Sequence, residues 1–228
     1  MLRTESSLPE RFRRFIRQPD FPCVGAKSAL SRNQMSVFVG RDLRDASDDA
    51  DILHTLRQLV RTYRDNRLLF QSLAILFEGP RHLSEQDFET CLWTRLQSLS
   101  DGDAALGYET DESVSADPED PHFSLSFAGE AFFVVGLHPN ASRPARQFET
   151  PAMVFNLHDQ FEELRRQGRY EKLRDSIVAR DVALAGSQNP MLATHGEISE
   201  ARQYSGRAVE PGWECPFAGR KDVQPESV

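Results

Sequence analysis

Cysteine is scarce in this chain: three in 228 residues, Cys23, Cys91 and Cys215, odd in number and widely spaced. That excludes a disulfide framework, and with no CxxC pair there is no thiol redox or zinc-ribbon motif. Long apolar runs are missing too. None approaches the ~20 residues that cross a bilayer, and the N-terminal MLRTESSLPERFRRFIRQPD is too charged for a secretory segment. Nor is there a basic excess: 35 acidic residues outweigh 27 basic ones, for a net charge of −8. Nucleic acid and anionic membranes both reward a basic face, so neither is expected as the main partner. The expectation is a soluble, cytoplasmic protein. There is no HExxH, no GxSxG and no Gly-rich turn after a strand, which removes zincin, serine-hydrolase and dinucleotide-fold readings. No repeat or low-complexity tract appears.

What is present is enough for a core: 39% hydrophobic residues, with 15 phenylalanines. At this length a compact fold needs no staple. Phe12, Phe15 and Ile16 recur at helical spacing, and Met35 to Val39 reads as a short strand. The Asp-rich 45–51 favours a helix start, and that helix runs to about Arg64 with Ile52, Leu56, Leu59, Val60 and Tyr63 on one face. Leu68 to Phe77 is a nearly continuous apolar run, read as a buried strand that Gly79-Pro80 ends. Ser84 caps a helix over Glu85 to Leu99. Residues 100–121 read as an acidic surface loop, without the ligand spacing of a calcium hand. Phe123 to Phe127 and Ala131 to Leu137 flank Ala128-Gly129-Glu130 as a hairpin, Ala152 to Leu157 is a further strand, and Asp159 to Leu184 is helical with a break near Gly168. The fold class is α+β (mixed α/β): one domain over 1–228 with a central, mainly antiparallel sheet flanked by helices. Its ordered core is expected at about 12–217, with 218–228 as a flexible tail.

The chemistry centres on FFVVGLHPNASR, Phe132 to Arg143. Pro139 stops the strand, leaving His138 at its end with Arg143 and Arg146 close behind. His195-Gly196-Glu197 has the His-x-acid form of a non-haem iron site but no later histidine to complete it. His158-Asp159 is a second, unspecific source of metal ligands. Cys215-Pro216 is a dipeptide that can present a thiolate to haem iron, although a small buried hydrophobe beside Trp213 and Phe217 explains it better. Non-covalent haem needs one strong axial ligand, an aromatic slot and arginines for its propionates. His138, Arg143, Arg146 and the many phenylalanines meet that need, and the absence of CxxCH argues against covalent attachment. The residues alone leave these alternatives open.

Five blocks in order, FPCVGAKSAL (Phe21 to Leu30), GLHPNASRPAR (Gly136 to Arg146), FNLHDQFEELRRQGRYEKLRDSI (Phe155 to Ile177), GSQNPML (Gly186 to Leu192) and SEARQYSGR…WECPF (Ser199 to Phe217), resemble the signature of the YqcI/YcgG family. The resemblance runs from about residue 12 to 217 and is least clear over 100–121. It implies a haem-dependent N-oxygenase of the arginine or guanitoxin N-hydroxylase type, holding haem b and hydroxylating an amine or guanidine nitrogen of a small molecule. O₂ and electrons from a donor such as a ferredoxin would be its co-reactants, and a homodimer is compatible with it. On that resemblance His138 is the proximal iron ligand, Cys215 the runner-up, and Arg143 and Arg146 are propionate partners. Asn156 and Gln160 would orient polar groups. The Gly-rich tail with His195, Glu197, Glu200, Arg202, Tyr204 and Arg207 would fold over the haem, Glu197 and Glu200 holding a cationic substrate beside Tyr204. A non-catalytic haem-binding or sensing protein is the alternative.

Overall fold

The computed structural model describes residues 6–193 and 196–220. In chain order the elements are α1 (Leu8–Arg17), α2 (Val24–Ser31), β1 (Met35–Asp42), α3 (Asp49–Asn66), β2 (Ser72–Gly79), α4 (Glu85–Ala105), β3 (Leu125–Phe127), β4 (Glu130–Leu137), β5 (Ala152–Leu157), α5 (His158–Arg166), α6 (Tyr170–Ala185) and α7 (Ala201–Tyr204). The five strands form one sheet in the order β1-β2-β5-β4-β3. Only β1 and β2 run parallel, joined through the crossover helix α3, while the other three pairings are antiparallel. This is an open α+β fold.

Residues of β2 point alternately to the two faces, so its apolar run serves two cores. Leu73, Ile75 and Phe77 join Ile52, Leu56, Phe88, Leu92, Trp93, Phe132 and Phe155 on one side, under α3 and α4. Ala74 and Leu76 join Phe12, Ile16, Leu137, Phe148 and Leu164 on the other, under α1, α2 and α5. The sheet is thus covered on both faces, and β4 and β5 run through its middle.

Several features differ from the sequence expectation. β2 begins at Ser72, and Leu68 lies exposed before it. Seven helices stand among the described residues, two of them without a counterpart in the sequence reading: α2 and the short α7 of the Gly-rich tail. α4 continues to Ala105, past the apolar stripe that ends at Leu99. The polar extension has a structural use: Asp103, fully buried, accepts the Ala128 N–H with both carboxylate oxygens at 3.1 Å and pairs with Arg220. Ala128 (φ 52°) and Gly129 (φ 74°) are both left-handed, the backbone of a tight two-residue hairpin between β3 and β4. Asp103 therefore supports a turn in which alanine would otherwise be poorly accommodated.

Candidate functional site

β4 delivers His138 as expected: the strand ends at Leu137, and the imidazole is 1% exposed. The loop that follows folds straight back. The His138 N–H donates to the Arg146 carbonyl at 3.0 Å, and the Ala141 N–H donates to the His138 carbonyl. Two further bonds tie the loop to the start of α4, from Asn140 Nδ2 to the Leu83 carbonyl (2.8 Å) and from the Ser142 N–H to Glu85 Oε1 (2.8 Å). The imidazole stacks on Phe88, centroids 4.3 Å apart and planes at 18°. Its Nδ1 is buried and has no hydrogen-bond partner. Burial lowers its pKa to about 4, Arg146 adding to the effect and Glu85 opposing it, so the ring is neutral at ordinary pH.

Arg146 lies beside it but faces the tail. Its Nη1 donates to the carbonyls of Gly136 (2.8 Å) and Tyr204 (3.3 Å), and Nη2 to that of Gln203 (3.1 Å). Burial lowers its pKa to about 10, which still leaves it charged. One side chain thus fastens α7 to the end of β4. Gly136 permits the close approach, since a Cβ there would meet Phe88 Cε1 at 2.8 Å and the Tyr204 carbonyl at 2.9 Å. Arg143 points elsewhere, to Asp181 on α6 and the Ser187 carbonyl, with its Nε buried and without a partner. The propionate roles implied for Arg143 and Arg146 are therefore not met in this arrangement: both guanidinium groups are committed to the fold.

Tyr204 is fully buried. Its hydroxyl donates to the Phe132 carbonyl at 3.0 Å, its ring stacks on Trp93 at 5.6 Å, and Phe123, Phe133, Trp93, Trp213 and Phe217 complete an aromatic cluster around it. Burial, with Glu200 nearby, pushes its phenol well above the ordinary range. Glu200 is buried as well, accepting the Ser124 hydroxyl at 3.0 Å, with His158 Nε2 3.7 Å from its other oxygen. Glu197, by contrast, is exposed. His195 lies outside the described residues. Cys215 is half-buried, and burial pushes its thiol up to about 12, so it is protonated where it stands. Asn156 and Gln160 bond backbone carbonyls, those of Phe133 and Val154 and that of Gln71.

The tail packs against β4, where Arg146 holds the Gln203 and Tyr204 carbonyls. What holds it there includes a residue that sequence reasoning passed over. Glu89, buried on α4, accepts the Ser205 hydroxyl at 3.0 Å and pairs with Arg207 at 2.8 Å. The signal was present: Glu89 shares the i, i+3, i+4, i+7 stripe of Leu92, Trp93 and Leu96. Of the residues singled out in the sequence, His138 is bonded to Arg146 and Arg146 to the Tyr204 carbonyl, Glu200 acts on the Tyr204 phenol, and Arg143 turns to Asp181.

Haem is implied by the resemblance, and the residues fit it in part. A neutral imidazole with an unpartnered ring nitrogen is competent to ligate iron, whereas the propionate partners must be sought beyond Arg143 and Arg146. Among the described residues no group of three or more His, Cys, Asp or Glu is placed to hold a metal ion, and no helix is long and apolar enough to cross a membrane. No curated protein and no solved structure matches the chain. A family profile does, over residues 12–218, most of the sequence, and the chain belongs to the YqcI/YcgG family.

Proposed function

We propose that this protein is a haem-dependent N-oxygenase that hydroxylates an amine or guanidine nitrogen of a small molecule. In balance, one oxygen atom of O₂ enters the N–H bond and the other leaves as water, with two electrons and two protons drawn from outside. Haem b, when bound, supplies the activation of O₂. The observation that carries the reading is the buried, neutral His138 with its unpartnered Nδ1, in a chain of the family whose resemblance implies this activity.

The chain's own residues have three tasks under this reading. His138 offers an unprotonated ring nitrogen, and Phe88 fixes the plane of the ring by stacking. Arg146 and Glu89 hold the tail over the loop, keeping water from the interior. Glu200 places a buried carboxylate beside Tyr204 and His158, a group suited to a cationic substrate nitrogen or to proton transfer. Cys215 is the weaker ligand candidate, since its thiol must first lose a proton that burial retains.

The test is turnover by the haem-loaded protein supplied with reductant. A panel of guanidine and amine substrates should include at least one that accelerates O₂ consumption and gains one oxygen atom by mass spectrometry. Haem binding without substrate-dependent O₂ consumption across that panel would favour the non-catalytic haem-binding or sensing protein.

A further inference from the structure

In an acidic chain, α1 stands out as a basic element. Arg17 lies three residues from Arg14 and four from Arg13, so its side chain neighbours both along the helix surface. Arg14 and Arg17 are exposed and Arg13 is half-buried. Among the described residues none of the three makes a hydrogen bond or ion pair. Arg11, by contrast, is paired with Glu149, and Lys27 on neighbouring α2 is bonded to the Gln18 and Pro19 carbonyls. Arg32, at the end of α2, is exposed and lies over the Phe70 ring at 5.4 Å. The acids nearby are few: Glu10 is turned back to cap the helix through the Ser7 N–H, Glu149 is taken by Arg11, and Asp20 is exposed beyond the helix end.

The opposite face of α1 leads inward to His138. Phe12 packs edge-on against Phe148 at 5.0 Å, and Phe15 lies 5.5 Å from the same ring. The Phe148 N–H donates to the Arg146 carbonyl at 3.0 Å, the same oxygen that accepts the His138 N–H. One layer of aromatic packing therefore separates the unpaired arginines from the loop of the candidate iron ligand.

We infer that the outer face of α1, with Arg13, Arg14 and Arg17, is the docking surface for a small acidic electron-transfer protein. This rests on the N-oxygenase reading, which needs two electrons from outside. Each docked carrier is oxidised by one electron, so two dockings supply a turnover. Unpaired surface charge of one sign steers an oppositely charged partner, and a brief encounter of this kind needs only a small interface. A membrane is a poorer fit, because Leu8, Phe12 and Ile16, the apolar residues such a helix would insert, are buried in the fold.

The experiment takes the full chain and a plant-type [2Fe–2S] ferredoxin as the acidic probe. Affinity is measured at low and at moderate salt for wild type, R13E/R14E/R17E and R13K/R14K/R17K. Charge reversal should weaken binding at least tenfold, the lysine variant should retain it, and salt should weaken the wild type. No binding by the wild type, equal binding by the reversed variant, or no response to salt would each overturn the proposal. So would anionic vesicles or duplex DNA that displace the ferredoxin at equal charge, since the face would then be a general polyanion surface. Failure of the function reading is separable. Binding is scored without haem, and in haem-loaded protein under anaerobic conditions the reversed variant should lose haem reduction by reduced ferredoxin while its haem is still reduced by dithionite.

Discussion

Protonation of His138 bears on stability in a direction that the buried site fixes. The folded state holds its pKa at about 4, below the ordinary 6.5. Between those values the unfolded chain takes up a proton that the folded one refuses, so this group leaves stability unchanged well above pH 6.5 and lowers it as the pH drops toward 4. By linkage the loss reaches about 2 kcal/mol at pH 5. Urea denaturation at pH 7.5 and pH 5 should show this extra loss in wild type and not in His138→Gln, and parallel losses would refute it. Arg146 invites a different test. As a fastener of the Gly136, Gln203 and Tyr204 carbonyls it should be costly to remove, with Arg146→Ala losing about 3 kcal/mol even without haem. A guanidinium waiting for a propionate would instead leave the stability of haem-free protein unchanged on removal.

At the scale of elements, the question is how a loop-rich tail stays in place when the four-residue α7 is its only regular structure among the described residues. The answer is side chains on α4 and at the end of β4 that reach backbone and polar groups of the tail. Glu89→Ala leaves Arg207 and Ser205 without their buried partner and should cost about 3 kcal/mol. Hydrogen exchange should then quicken across 199–217 well before it does in β2 or β5. Uniform protection in the variant would show that the tail is held by something else. Gly136→Ala would force a methyl into Phe88 and the Tyr204 carbonyl, at about 1–3 kcal/mol, and should disturb the Phe88–His138 stack. The ring-proton shifts of His138 report that disturbance, and unchanged shifts would contradict it.

At the scale of the molecule, the elements legible in the sequence were those whose period matches their burial. Ala152 to Leu157, the hairpin at Ala128-Gly129 and the break near Gly168 all sit where the pattern puts them. The extension of α4 was hidden because Asp103 is buried for hydrogen bonding, which no hydrophobic period reveals. The same holds for the site. The Pro139 stop exposes His138 in the sequence, but the commitment of Arg143 to Asp181 and of Arg146 to the tail depends on contacts 38 and 57 residues distant. Local sequence carries no trace of such pairings.

The central claim is that His138 is an iron ligand, and its most direct measurement is the absorption spectrum of haem-loaded protein reduced under CO. It is recorded for wild type, His138→Ala and Cys215→Ala. A band at ~420 nm that collapses only in His138→Ala is the predicted result. A band at ~450 nm that disappears in Cys215→Ala would transfer the ligand to the thiolate, and no Soret band in haem-replete wild type would contradict the account.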